Sequence, residues 1–421
     1  MLLTKIAILL VLLSSAIDGG QTLAADGGLI ASPEPGWPQW RGPRRDGVSD
    51  ETGLLARWPE GGLKRLWKVD GLGKGWSSPI IVNDRLYITG DVGNDLVVFA
   101  LDLDGKPLWK TKNGQRWVKP YPGARATCAY SDGRLYNMNA HGRVVCLDSK
   151  SGDEIWVVDV LDRFEAENIT WALSECLLVD GPHVIVTPGG RKALMAALDK
   201  RTGRTIWATP PLGDDQTSHS SPILFQHAGR RLIANCSAAH GFGVDASTGE
   251  LLWTVPLKNP HGVNASTPVY DSGRVYYVTA RAQMGRQYRL RAAQGGVSAE
   301  HVWTSPLDSV TGGSVLVNGT LFAATYLKPK RWMAVDWETG QTKHEQTDLT
   351  TGAAIYADGR LYCLDEQGNA GLVDPTNLTI VSRFRLVTDR VRDAWAHPVL
   401  LDGRLYLRYH DALFCYDVQG P

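Results

Sequence analysis

The sequence predicts an all-β fold: an eight-bladed β-propeller of four-stranded antiparallel blades, its ring closed by an N-terminal strand (63–69) that completes the last blade. Three observations predict it. First, the stretch Ala197 to Trp207 recurs as Leu147-Asp148 to Gly152 and Trp156, as Val244-Asp245 to Gly249 and Trp253, and as Val335-Asp336 to Gly340 and His344. A shortened copy runs from Leu101-Asp102 to Gly105 and Trp109, and a frayed one from Val373-Asp374 to Asn377. Second, short strands separated by turn signals at intervals of roughly 8 to 12 residues repeat with a period of about 40 to 50. Third, tryptophan is used 15 times and phenylalanine only 7, and Trp109, Trp156, Trp207 and Trp253 stand at the closing position of the repeat. Within a copy the Asp caps the turn, the Gly reverses the chain at positive φ, and the closing indole is a wedge suited to the space between two sheets.

Taken in order, the chain opens with Lys5, the apolar run Ile6 to Leu13 and then Thr22-Leu23-Ala24. This pattern predicts a signal peptide over residues 1–24, cleaved near Ala24 or Ala25. The apolar run is shorter than the ~20 residues a membrane span needs. No Cys follows the cleavage region for a lipid anchor. A monomer in the periplasm or secreted is therefore expected. Residues 25–62 are a leader and strap: Ala25 to Pro35 reads as flexible, and Trp37-Pro38-Gln39-Trp40-Arg41-Gly42-Pro43 with Asp46-Gly47 as an ordered segment over the domain.

Residues 63–421 form the propeller. Each unit opens on a first strand with small polar residues, such as Trp76-Ser77-Ser78-Pro79 or His219-Ser220-Ser221-Pro222. A turn follows, often Asp-Gly, then a strand such as Arg134-Leu135-Tyr136 or Arg404-Leu405-Tyr406, and then the Leu-Asp strand with its return. First strands at Ser77, Ala126, Leu173, Ser220, Ser266, Gly312, Gly352 and Ala396 count eight blades. The eighth lacks a fourth strand because the chain ends soon after Asp417, whereas a spare strand ending near Trp67 precedes the first. Pairing the two leaves no open edge.

Lys plus Arg and Asp plus Glu both number 44, so the formal net charge is zero. That argues against a nucleic-acid partner, which usually demands a basic excess. Cys128 and Cys176 fall at equivalent positions of adjacent repeats, hence on sheets about 10 Å apart, whereas a disulfide needs Cα atoms within about 7 Å. Cys146 and Cys415 sit on equivalent strands of non-adjacent repeats. Buried free thiols are expected. Gly71-Leu72-Gly73-Lys74-Gly75 opens no helix, and Cys-x-x-Cys, His-Glu-x-x-His and Gly-x-Ser-x-Gly are absent, which removes phosphate-loop, zinc and hydrolase signatures.

The Leu-Asp-x-x-Thr-Gly-x-x-x-Trp pattern resembles the tryptophan-docking repeat of the pyrroloquinoline-quinone (PQQ) propeller superfamily, over Trp37 to Asp417. The opening Trp37 to Pro43 with Asp46-Gly47 resembles the start of a group of exported bacterial PQQ-like propeller proteins. The resemblance implies one of two kinds of member. Quinoprotein dehydrogenases hold PQQ and calcium in the central funnel, with adjacent cysteines over the quinone, a Trp beneath it, and acidic and Asn calcium ligands. Others, including the scaffold lipoprotein of the outer-membrane β-barrel assembly machinery, keep the repeats without a cofactor. This chain has no adjacent cysteines and no Cys-x-x-Cys-His, which favours the second kind, and it departs from the lipoprotein in lacking the lipidation Cys.

A site is expected where the first strands begin. One column there reads Trp76, Arg125, Leu173, His219, Ala265, Thr311, Thr351, Trp395, and two residues on the same pleat face gives Ser78, Thr127, Glu175, Ser221, Thr267, Gly313, Ala353, His397. Small Ser, Thr and Gly suit the crowded end of a ring. The departures are Arg125, Glu175, His219, His397 and the aromatics Trp76, Trp171 and Trp395; with Asn264 they form the candidate ligand-binding set. Charged groups in a constricted channel should be paired or meet a ligand, and an Arg125–Glu175 ion pair is the plain structural alternative. Arg116, Trp117 and Tyr121 mark a rim fit for a sugar or an anion, or a surface loop with one Trp packed down. Under the dehydrogenase resemblance, Glu175, Asn264 and Asp308 sketch a calcium site. Glu175 as a glycoside-cleaving acid would need a carboxylate partner.

The reading is a non-catalytic platform that binds a protein, peptide or glycan on its funnel face and needs no cofactor. The alternative is a PQQ- and calcium-dependent oxidoreductase using the same funnel.

Overall fold

In the computed structural model the described residues are 27–279, 284–293 and 296–421. The signal peptide expected over residues 1–24 lies outside them. Eight four-stranded antiparallel sheets are present, as the repeat count requires. Seven are consecutive runs of four strands, from Ile80–Gln115 in the first blade to Gly352–Arg385 in the seventh. The eighth combines Val399–Leu401, Arg404–Tyr409 and Ala412–Asp417 with Lys64–Val69 as its outer strand. The closing pair runs Lys64 opposite Asp417, Trp67 opposite Cys415 and Val69 opposite Leu413.

The blades are locked through the repeat itself. Each turn Asp accepts from the backbone of its own turn, as Asp199 does from Arg201 N (3.0 Å) and Thr202 N (2.8 Å). The turn Gly that follows lies under the indole of the preceding blade. A Cβ on Gly152, Gly203 or Gly249 would stand 2.6, 2.8 or 2.4 Å from Trp109, Trp156 or Trp207. Those glycines also have left-handed φ of 80°, 71° and 75° respectively. Only glycine meets both demands. The indole N–H then donates to a carbonyl of the next turn: Trp109 to Ser149 O (3.2 Å), Trp156 to Lys200 O (3.1 Å), Trp207 to Ala246 O (3.2 Å), Trp303 to Trp337 O (3.0 Å). Trp67 repeats the contact across the closure, donating to Leu103 O (2.9 Å) and packing on Gly105. In the sixth and seventh blades the same register position holds His344, which is exposed, and Ser382, whose Oγ accepts from Trp58 N of the strap (2.9 Å).

Around the axis the small hydroxyl residues tie blade to blade. Ser78 N donates to Thr127 Oγ1 (2.9 Å), Cys176 N to Ser221 Oγ (2.9 Å), Ser220 Oγ to Ser266 O (3.0 Å) and Ser266 Oγ to Ser309 O (2.8 Å). Arg408 of the eighth blade, 1 % exposed, donates to Ser77 O (3.1 Å) and Gly73 O (3.0 Å), so the closure is bonded at its inner side too. All six cysteines are buried free thiols, as expected from the sheet spacing.

The strap is more than a cover. Its backbone bridges Leu29 to Phe225, Trp37 to Ile81, Val48 to Tyr356 and Leu54 to Gln419, joining four blades. The flexible leader expected over Ala25 to Pro35 is corrected in part, because Gln226 N donates to Gly28 O (3.0 Å) and Ile30 N to Leu224 O (2.9 Å). Two strap guanidiniums, each 2 % exposed, enter the channel. Arg41 donates to Gly312 O (3.3 Å) and to Ser314 O, and Arg45 to Cys176 O (2.7 Å), Leu177 O (3.1 Å) and Pro222 O (2.6 Å). Burial lowers both to about 10, so they stay charged at neutral pH, satisfied by carbonyl dipoles.

Two outcomes follow from this closure. Deleting Ala394 to Pro421 should give an aggregating or unfolded chain, and a monomeric product that melts cooperatively would contradict the closure. Trp67→Ala should cost about 3 kcal/mol in chemical denaturation, against under about 0.5 kcal/mol for Leu66→Ala on the exposed side of the same strand.

Candidate functional site

The first strands begin on the face opposite the strap, and there the ring encloses a cavity of about 430 Å³. Seven of the residues expected at a site line it: Trp76, Tyr121, Arg125, Trp171, His219, Trp395 and His397. Trp76, Arg125, His219 and Trp395 come together because the column preceding each small-polar opening projects inward from six of the eight blades, with Leu173 and Thr351 outside the lining. Trp76 and Trp395, from the first and last blades, stand 5.0 Å apart at 34°, and Tyr121 is 5.8 Å from Trp395. The Trp76 indole donates to Asp393 O (3.0 Å), which fixes its tilt. Across the cavity Trp171 meets His219 at 6.4 Å and His261 at 6.3 Å.

Arg125 lies over the Trp76 ring at 5.7 Å and donates to Tyr121 O. Burial lowers its guanidinium to about 10, opposed by the field of Asp91, whose own carboxyl burial pushes up to about 6. His219 is lowered to about 4 by burial and then by the Arg125 charge, and His397 to about 3 by burial and then by Arg41. Both are neutral at physiological pH. His397 meets Thr311 O at 3.2 Å through Nε2 and the edge of Trp40 at 5.0 Å.

Several candidates lie elsewhere. The Arg125–Glu175 ion pair does not form. Glu175 is 1 % exposed and turns into the blade interior, where it accepts from Thr187 N (2.9 Å), Thr187 Oγ1 (2.6 Å) and Asn235 Nδ2 (3.4 Å). The cation acting on it is Arg45 of the strap. Asn264 is fully buried, its Nδ2 donating to Ser237 O (2.8 Å), Ala238 O (3.1 Å) and Leu257 O (3.2 Å) and its Oδ1 accepting from Asn259 Nδ2 (3.2 Å), so it braces a loop and does not line the cavity. Asp308 accepts from Tyr326 N (2.9 Å) and Leu327 N (3.1 Å). The oxygens sketched as calcium ligands are thus spent on their own loops and strands, none of the three lines the cavity, and the donor set does not fit that ion. Among the described residues no group of three or more His, Cys, Asp or Glu is placed to hold a metal. Of the rim, only Tyr121 reaches the cavity. Trp117 is packed down, donating to Pro120 O (2.8 Å) and lying 5.3 Å from His141, and Arg116 stands outside the lining.

Sequence reasoning missed, among other lining residues, one indole and four charged side chains. Trp40 reaches up from the strap, and Lys330, Glu366, Arg390 and Asp393 come from loops. Lys330 pairs with Glu366 and Arg390 with Asp393. The i, i+3 spacing of Arg390 and Asp393 was the one visible signal.

The family model described as "Outer membrane protein assembly factor BamB" matches residues 94–346. The BamB of Yersinia pestis is 23 % identical over 313 residues, covering 71 % of this chain and 74 % of that protein. The quinohemoprotein alcohol dehydrogenase ADH IIB of Pseudomonas putida is 31 % identical over 327 residues, covering 68 % of this chain, which spans only 45 % of that enzyme's length. The solved structure of BamB from Moraxella catarrhalis superposes with a TM-score of 0.62 at 15 % identity, covering 84 % of this chain and 99 % of that one. At that identity the likeness is one of fold.

Burial raises Glu175 from 4.5 to about 7. The folded chain therefore holds this proton more tightly than the unfolded chain. The stabilisation it brings is complete below about 4.5 and is lost as pH rises through about 7, to an extent on the order of 3 kcal/mol. Glu175→Gln should match the parent's melting temperature near pH 4.5 and exceed it at pH 8, read by thermal scans across that range. Equal shifts at both pH values would refute the assignment.

Proposed function

This chain belongs to the family described as outer membrane protein assembly factor BamB, and from that we propose that it is a non-catalytic platform, binding a protein, peptide or glycan partner on its funnel face. The observation that carries the reading is the state of the funnel's reactive groups. Glu366 and Asp393 are each held by a cation, Glu175 is turned away, and both imidazoles are neutral and buried. Aromatic rings and paired charges around a concave cavity suit recognition, since such rings supply contact area and the polar groups set orientation. The reading includes export to the periplasm or beyond, action as a monomer, and no nucleic-acid partner. Among the described residues no helix is long and apolar enough to cross a membrane.

The second reading, a PQQ- and calcium-dependent oxidoreductase, is favoured by the dehydrogenase relative and opposed by the spent oxygen ligands. One experiment separates them. Purified chain mixed with PQQ and calcium should leave the quinone absorbance and the melting temperature unchanged, and a saturable shift in either would overturn the platform. A binding partner, once cross-linked from the exported fraction, should be retained by the parent and by Leu108→Ala on the outer rim, but released by Trp76→Ala and Trp395→Ala.

A further inference from the structure

We propose that the funnel of this platform takes a neutral saccharide, with one pyranose ring seated against the Trp76–Trp395 wall. The inference rests on the funnel being the binding face. Its first support is the mixture of surfaces around a cavity of about 430 Å³, a volume that admits a short oligosaccharide end. The lining combines indoles and the Tyr121 ring with hydroxyl, imidazole and ion-paired groups. A pyranose carries the complementary pattern, with C–H-covered faces and hydroxyls around its edge. An apolar amino-acid side chain has its polar atoms at the root only, and would leave the ion-paired groups desolvated and unmatched.

Charge is the second support. Lys330 is matched by Glu366 and Arg390 by Asp393, both at the cavity wall. Arg125 stands in the field of Asp91 without forming an ion pair with it and donates to Tyr121 O, and the two lining histidines are neutral. An ionic ligand set against Lys330 or Glu366 would have to break their pair, whose side chains are only 27 % and 12 % exposed, and breaking a largely desolvated pair is costly. Hydroxyl groups need not. Each donates to a carboxylate and accepts from an ammonium or guanidinium, so Glu366, Asp393, Lys330 and Arg390 engage a sugar while keeping their own partners.

The third support is preorganisation. Trp76 is tied by its N–H to Asp393 O (3.0 Å) and stacked beneath Arg125, so the wall stands in place before any ligand arrives. Tyr121, 47 % exposed, overhangs the same wall and gives a ring at the mouth.

The test is titration of the full exported chain with cellohexaose, xylohexaose and chitohexaose, with a galacturonate hexamer as the acidic arm and a leucine- and phenylalanine-rich peptide as the apolar one. Tryptophan fluorescence and calorimetry are the readouts. At least one neutral hexamer should bind saturably, and Trp395→Ala should weaken it by about tenfold or more. If Trp395→Ala does not fold, Tyr121→Ala should show a weakening of the same sign, while Leu108→Ala should bind as the parent does. The saccharide assignment is overturned by no response up to about 10 mM of any neutral hexamer. It is equally overturned by binding indifferent to both funnel substitutions, or by binding of the galacturonate or the peptide alone. Partner retention through the funnel without any sugar response would sink this assignment and leave the platform standing, whereas a PQQ-induced shift would remove the platform itself.

Discussion

The contact between an indole and a glycine of the next blade is the constraint on which the molecule depends. A four-stranded sheet alone exposes two apolar faces and two edges. At five of the eight junctions a blade reaches its neighbour with a large flat ring, and the neighbour receives it with a glycine in place of a side chain. Because a Cβ at Gly249 would stand 2.4 Å from Trp207, the approach is available to glycine only, and the same residue supplies the positive φ that reverses the chain. One position therefore serves both turn and packing, and the hydrogen bond from the indole N–H sets the rotation of one blade on the next. Repeated around an axis, a fixed rotation gives a fixed number of blades.

That rotation also decides what faces the axis. Equivalent positions of the first strands become neighbours around the channel, where Ser78, Thr127 and Ser221 spend their hydroxyls on adjoining blades. The strap then enters from one side, and its guanidiniums occupy carbonyls that would otherwise line an open bore. With Trp40 beneath the funnel, the channel becomes a cup with one mouth. The aromatic and ion-paired side chains stand at that mouth.

The fold was legible because its two essential residue types leave marks at constant spacing. Asp148, Gly152 and Trp156 recur as Asp199, Gly203 and Trp207, and the missing fourth strand of the last blade is as visible as the spare strand Lys64–Val69. The funnel column was legible for the same reason, and Trp76, Arg125, His219 and Trp395 do meet. Glu175 shows where periodicity stops. Its column predicts the lumen, but the carboxylate accepts from Thr187 and Asn235 within the blades, with Arg45 of the strap as the cation acting on it. Trp40, Lys330 and Glu366 left no periodic mark, because the strap has no repeat and the pairing of Lys330 with Glu366 depends on how two loops of neighbouring blades lie together.

The joint between Trp67 and the final strand has a consequence for biogenesis. A polypeptide delivered amino-end first presents Lys64–Val69 long before Ala412–Asp417 exists to receive it. Seven wheel-spokes can assemble while that early segment stays unengaged, and completion waits on the arrival of the tail. Such sequence-distant pairing slows maturation and leaves a sticky margin in the meantime. The lysines at 64 and 68 and the arginine at 65 then read as guards, keeping the waiting margin from adopting a stranger's strand.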